Sequence, residues 1–181
     1  AAGNVYIADY NNNRIRFIAK ASGTYFGQAM TANSIYTIAG NGTGGYTSDN
    51  VAATGSRLNQ PSEVSVDASG NVIISDYSNS RVRFVPKTSG TYFGQSMTAN
   101  YIYTLVNSTY LYYQQGANVD AQGNVYIANV NYNTILFLPK ASGTYFGQAM
   151  TANSVYTIVG NGSGGYSGVG RVATTARLDN G

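Results

Sequence analysis

Fourteen residues recur three times in this chain, and that recurrence limits the folds open to it. The stretch Lys20-Ala-Ser-Gly-Thr-Tyr-Phe-Gly-Gln-Ala-Met-Thr-Ala-Asn33 returns at Lys87–Asn100 with two changes, Thr88 for Ala21 and Ser96 for Ala29. It returns at Lys140–Asn153 with none. A segment this short cannot fold alone, so each copy is expected to be a fixed attachment on a repeating unit.

The units around the copies repeat too. Asn4-Val-Tyr-Ile-Ala-Asp9, Asn71-Val-Ile-Ile-Ser-Asp76 and Asn124-Val-Tyr-Ile-Ala-Asn129 each open a unit. A polar turn follows, and then Arg14–Ala19, Arg81–Pro86 or Thr134–Pro139, the fourteen-residue insert, and Ile35–Ala39, Tyr101–Val106 or Val155–Val159. Pro61–Asp67 supplies a further strand ahead of the second unit. These segments are rich in Val, Ile, Tyr, Phe and Thr, which favour strands. One Glu and three Lys in 181 residues, with no 3.6-residue apolar stripe, leave little room for helix.

Four short antiparallel strands recurring every 40 to 60 or so residues predict the blades of a β-propeller, an all-β fold. Apolar residues on both faces of a strand, as in Val5, Tyr6, Ile7 and Ala8, suit a blade packed between two neighbours. We expect one propeller segment over 1–181 with about three blades. Blade 1 spans about 1–40 and lacks its inner strand, blade 2 about 61–106 and blade 3 about 117–159, with 160–181 a linker toward a next blade. Ala176–Gly181 matches Ser56–Pro61 and Ala1–Asn4 matches Ala68–Asn71, so copies joined head to tail would continue the repeat without one inner strand. Closed propellers typically have four or more blades. Three accounts stay open: part of a longer chain, a ring of two copies, or an unclosed head-to-tail fibre. The absence of an initial Met fits a processed product, a fragment, or part of a longer chain.

Gly3–Phe17 and Pro61–Phe84 resemble the NHL repeat. Ile35-Tyr-Thr-Ile-Ala-Gly-Asn-Gly42, ahead of Arg57-Leu-Asn-Gln-Pro61, is similar to bacterial NHL-repeat proteins. The resemblance covers nearly the whole chain and implies a propeller, usually of six blades. It does not imply one activity, since the family includes scaffolds, ligand-binding ectodomains and a few lyases. Those lyases use metal-binding His residues, and this chain has no His.

Composition narrows function further. Without Cys, disulfides and thiol chemistry are excluded, and without His or Cys so are their nucleophilic mechanisms and zinc sites. A net charge of +3 with no basic run argues against nucleic acid. No apolar run reaches 18 residues, so no helical membrane insertion is expected. Charged residues are only 9%, while Tyr, Asn, Ser, Thr and Gly abound, which is the composition of an extracellular or cell-surface protein. The expected function is non-enzymatic: a structural, self-associating module without cofactor or metal, whose partner is itself. A glycan- or peptide-binding propeller domain of a longer secreted protein is the alternative, and a lyase-like enzyme ranks last.

Three groups of residues stand out. Tyr25, Phe26, Met30, Tyr92, Phe93, Met97, Tyr145, Phe146 and Met150, all in the inserts, are candidate assembly contacts, or side chains folded back onto their own or the next blade. Asp9 with Arg14, and Asp76 with Arg81, flank equivalent turns. Their counterparts Asn129 and Thr134 lose both charges together, as a paired structural contact predicts. Asn41, Asn107 and Asn161 sit in acceptor sequons for glycosylation, although an Asn-initiated turn accounts for them more simply.

Overall fold

The computed structural model describes residues 3–167 and 170–179. Ala1, Ala2, Asn180 and Gly181, which carry parts of the expected end-to-end match, lie outside the described residues, as do Gly168 and Val169.

The first sheet contains β1 (Val5–Asp9) and β2 (Arg14–Ile18), then a separate hairpin of β3 (Gly23–Tyr25) and β4 (Gln28–Met30), then β5 (Ile35–Ala39). Its order is β1-β2-β5. A linker holding β6 (Val51–Ala52) leads to β7 (Pro61–Val66), β8 (Val72–Asp76) and β9 (Arg81–Val85). The hairpin β10 (Gly90–Tyr92) and β11 (Gln95–Met97) and then β12 (Tyr101–Val106) complete this unit. Its sheet runs β6-β12-β9-β8-β7, so the linker adds a two-residue outermost strand. The third unit holds β13 (Gly116–Val119), β14 (Val125–Asn129), β15 (Thr134–Leu138), the hairpin β16 (Gly143–Tyr145) and β17 (Gln148–Met150), and β18 (Tyr156–Val159). Its order is β13-β14-β15-β18. All registered pairs are antiparallel. These sheets are β-propeller blades, and among the described residues β1 has no strand on its free side, where β8 has β7 and β14 has β13.

Local chemistry fixes each turn. The connections β1–β2, β8–β9 and β14–β15 are single 3-10 turns closed by a left-handed residue, Asn13, Ser80 or Asn133. Short polar side chains visit that conformation at low cost. Asp67 and Asp120 tie the inner strand to the next: their Oδ1 atoms accept the N–H groups of Asn71 and Asn124 at 2.8 Å. Asn4, Asn71 and Asn124 in turn accept the N–H of Lys20, Lys87 and Lys140, anchoring the start of each insert to its blade.

The sheets stack face to face. Val72, Ile74, Val85 and Ile102 of the second blade share a core with Ile15, Phe17 and Ile38 of the first. On the opposite face Ile73, Val82 and Phe84 share a core with Val125, Ile127, Leu136 and Leu138 of the third. Period-2 strands buried on both sides explain why successive residues are apolar. Burying an Ile or Phe side chain stabilises by about 1.5–3 kcal/mol, so these inter-blade layers dominate the stability.

Candidate functional site

The fourteen-residue insert is a β-hairpin of its own. Phe26-Gly27, Phe93-Gly94 and Phe146-Gly147 form its turn, all with positive φ (49° and 72° in the first copy). Such turns match the twist of a hairpin, but they normally carry Asn-Gly rather than Phe-Gly. Phe is held there by its ring. Phe26 packs edge-on against Phe17 at 5.5 Å, Phe93 against Phe84 at 5.7 Å and Phe146 against Phe137 at 5.3 Å. Tyr25, Tyr92 and Tyr145 lie on the same three Phe rings at 5.1–5.4 Å. Met30, Met97 and Met150 are buried beneath. The hairpin is latched shut where the N–H of Thr31, Thr98 and Thr151 donates to Tyr36, Tyr103 and Tyr156 at 2.8 Å. The aromatic side chains therefore fold back on their own blade, while the turn reaches forward. A Cβ placed on Gly27 would stand 3.2 Å from Asn100 of the second blade, and one on Gly94 the same distance from Asn153 of the third. At Gly147 nothing lies within 4 Å.

Two faces are thus left open. On the first blade Val5 is 49% and Ile35 50% exposed, whereas their counterparts Val72 and Ile102 are fully buried. On the third blade Phe146 is 64% exposed, whereas Phe26 and Phe93 are half-buried.

A charged cluster marks the junction of the first linker with the second blade. Arg83 and Asp76 are both fully buried, with Nη1 and Oδ2 3.5 Å apart. Arg83 Nη2 donates to the Thr47 carbonyl at 3.1 Å and lies 3.4 Å from Asp49. Asp76 accepts from the Asn59 N–H and from Asn79 Nδ2, each at 2.8 Å. Arg81 and Arg83 lie over the Tyr46 ring, 4.0 and 5.0 Å from its centroid. Burial pushes the Asp76 carboxyl above its ordinary pKa, more than hydrogen bonds from Asn79 and Asn59 and the Arg83 charge pull it down. Burial likewise lowers that of Arg83, against Asp76 and Asp49. The ion pair thus differs from the one that turn spacing suggests. Asp76 and Arg81 are register partners, as are Asp9 and Arg14, but the carboxylates reach the next Arg on that face, Arg83 and Arg16. Arg81 and Arg14 instead donate to the carbonyls of Asn79 and Asn12. Arg83, the largest fully buried side chain among the described residues, is the residue that sequence reasoning passed over. Its only signal was the loss of Arg at position 136, where the linker is short.

In the first blade the same pair, Arg16 and Asp9, stands 3.4 Å apart with side chains 26% and 24% exposed. In the third blade Leu136 and Asn129 replace it, and the short linker leaves a groove of about 610 Å³ beside them. Among the described residues no charged side chain lines it; Tyr110, Tyr132, Asn129, Thr134, Thr157 and Asn161 contribute.

The sequon residues Asn41, Asn107 and Asn161 are exposed, and each Oδ1 accepts the N–H two residues on, at 2.8–3.0 Å. Among the described residues no three acidic side chains converge as a metal site would require, and no helix is long and apolar enough to cross a membrane.

Residues 58–83 match the family model of the NHL repeat. That stretch is similar to an NHL repeat. The match runs from Leu58, a buried plug between the first two blades, through β7 and β8 to Arg83. It therefore spans the junction at which a linker, an inner strand and the charged cluster meet. None of the curated proteins matches the chain. The match agrees with the β-propeller blades of the fold.

Proposed function

We propose that this NHL-repeat chain is a non-enzymatic structural module, extracellular or at the cell surface, that binds copies of itself head to tail. One observation carries the reading. The two open faces are the two halves of an interface that the chain already makes twice. The first blade shows outward the positions (Val5, Ile35) that the second blade buries against its predecessor. The third shows outward the hairpin-turn ring of Phe146, 64% exposed, whose counterparts Phe26 and Phe93 are half-buried in the blades that have a successor. A blade stacked on the third through the first blade's open face would bury both by contacts of a kind already present. Such a heterologous contact repeats until it closes a ring or extends as a fibre. The free side of β1 adds unpaired backbone groups suited to strand addition. Light scattering from micromolar to about 100 µM, followed by electron microscopy, tests the reading. Mass above the 19.1 kDa of one chain that grows with concentration is expected, with rings or fibres on the grid. A monomer throughout would refute it.

A second reading rests on the groove of the third blade. Its uncharged lining of tyrosine rings, amides and hydroxyls suits a neutral glycan, whose apolar faces stack on aromatics while its hydroxyls bond to Asn and Thr.

A further inference from the structure

Residues 160–179 repeat the linker 40–59 in sequence, and the described residues 160–167 and 170–179 repeat its hydrogen bonds. Gly160, Asn161 and Gly165 donate their N–H groups to the carbonyls of Ala173, Ala176 and Leu178. Gly40, Asn41 and Gly45 make the same bonds to Ala53, Ser56 and Leu58. The Arg177 N–H donates to Ser167 Oγ at 2.8 Å as that of Arg57 does to Thr47 Oγ1 at 2.9 Å. The arm is thus shaped like the first linker, but it lacks what that linker covers. Tyr166 is 84% exposed where Tyr46 is 44%, and Val172 is 70% exposed. Ala173 is exposed where Ala53 is buried.

The first linker docks on the second blade through specific groups. Tyr46 lies under Arg81 and Arg83, and the Thr47 carbonyl accepts from Arg83. Val51 and Ala52 pair with Ile102 and Tyr101, and the Asn59 N–H reaches Asp76. The first blade carries the matching receptors: Arg14, Arg16, Asp9 and Ile35 in the places of Arg81, Arg83, Asp76 and Ile102. It keeps Arg16 and Asp9 side by side and a quarter exposed, with no linker over them among the described residues. The third blade, whose linker is short, has Thr134 and Leu136 in place of the two arginines. The arginine pair therefore occurs where a Tyr-bearing arm is to be received.

We infer that this arm docks through residues 160–167 and 170–179 on the first blade of a second copy, with Tyr166 stacked beneath that copy's Arg14 and Arg16. This deepens the head-to-tail reading and rests on it. In the docked state the Ser167 carbonyl accepts from Arg16, the Asp179 N–H donates to Asp9, and Arg171-Val172 adds a short strand beside Ile35. The occupant is a second copy because both halves of this joint, arm and receptor, are present on one chain. The counterpart of Asp49 is Val169, so Asp9 is the carboxylate that balances Arg16 in this joint.

The experiment uses variants that disable one half each. Tyr166→Ser removes the ring from an exposed position. Arg14→Thr with Arg16→Leu gives the first blade the residues that the third already tolerates. Mass is measured by light scattering at a concentration where the parent chain associates, with thermal melts to verify folding. Each variant alone is expected to weaken association by about tenfold or more. Mixed one to one, they are expected to form a dimer and stop, since one intact arm meets one intact receptor. Tyr166→Phe, which keeps the ring, is expected to associate like the parent; it keeps the inference testable if the arginine variant does not fold. Association of both single-half variants at parental strength would overturn the clamp while leaving self-association standing. A parent chain that stays monomeric would instead overturn the head-to-tail reading itself.

Discussion

Arg83→Leu, Asp76→Asn and their combination form a cycle that tests the buried ion pair. Arg83→Leu removes the contact to Asp76 at 3.5 Å, the contact to Asp49 at 3.4 Å and the bond to the Thr47 carbonyl at 3.1 Å. It leaves the Asp76 carboxylate fully buried and facing an apolar side chain. Removing one partner of such a pair costs about 3–5 kcal/mol. Asp76→Asn costs less, about 1–3 kcal/mol, because Arg83 keeps Asp49 and the Thr47 carbonyl. The double replacement reproduces the third blade, where Asn129 accepts the Tyr112 N–H at 3.4 Å and donates to the Tyr110 carbonyl at 2.9 Å beside Leu136. It is therefore expected to be more stable than Arg83→Leu alone, with a coupling of about 2 kcal/mol. Urea unfolding of the four proteins at pH 7 gives that number. A double variant whose loss equals the sum of the two single losses would refute the reasoning.

The same pair carries a pH signature. Because burial raises the folded-state pKa of Asp76 above its unfolded value, the folded chain binds more protons across that interval. Its contribution to stability is present in full below the unfolded value and is lost as pH rises through the folded one. The stability of the parent relative to Asp76→Asn is therefore expected to grow as pH falls from 7 to 4. A constant or shrinking difference would place the dominant influence on Arg83 instead of burial.

Two further outcomes follow from the hairpins and the groove. Phe93→Asn removes a ring lodged between the second and third blades and is expected to cost about 1–2 kcal/mol, since the left-handed strain it relieves is worth only about 1. Phe146→Asn, at the open face, is expected to leave the monomer's melting temperature within about 2 °C while weakening association, and a loss equal to that of Phe93→Asn would contradict the difference between the two faces. If the groove of the third blade binds a neutral glycan, oligosaccharide titrations followed by tyrosine fluorescence will saturate and Tyr110→Ala will abolish the signal; a signal unchanged in Tyr110→Ala would exclude that groove.

The blades were legible because repetition and period-2 patterning are independent signals that agree: three units, each with apolar residues on both strand faces, fit only a stack of sheets. The fourteen-residue insert was legible as a hairpin-like unit, but its turn was not. Its turn uses Phe in a conformation that a side chain of that size rarely adopts, and the compensating ring contacts with Phe17, Phe84 and Phe137 come from another strand. Arg83 escaped notice for a similar reason. In Arg81-Val-Arg-Phe-Val the arginines alternate with apolar residues, the pattern of a strand with one face in water. Only a linker folding back from more than thirty residues away turns that face into an interior, and nothing local announces it.

The near identity of the three inserts has a physical basis in this arrangement. Each residue type meets two demands at once. Tyr25, Met30 and Phe26 must close a hairpin against Phe17 within one blade, and Gly27 must pass close to an Asn of the next. The aliphatic positions of a core strand meet one demand, apolar bulk of about the right size, and Ile, Val and Leu exchange there at little cost. That is the pattern seen, with Ile15-Arg-Phe-Ile, Val82-Arg-Phe-Val and Ile135-Leu-Phe-Leu varying around an unvarying Phe. The third insert meets only the first demand among the described contacts, since nothing stands near Gly147, yet it matches the first at all fourteen positions. Conservation of the forward-reaching turn at the open face is what a chain needs if a further blade, carrying an Asn like Asn33 on an exposed rim, comes to rest there.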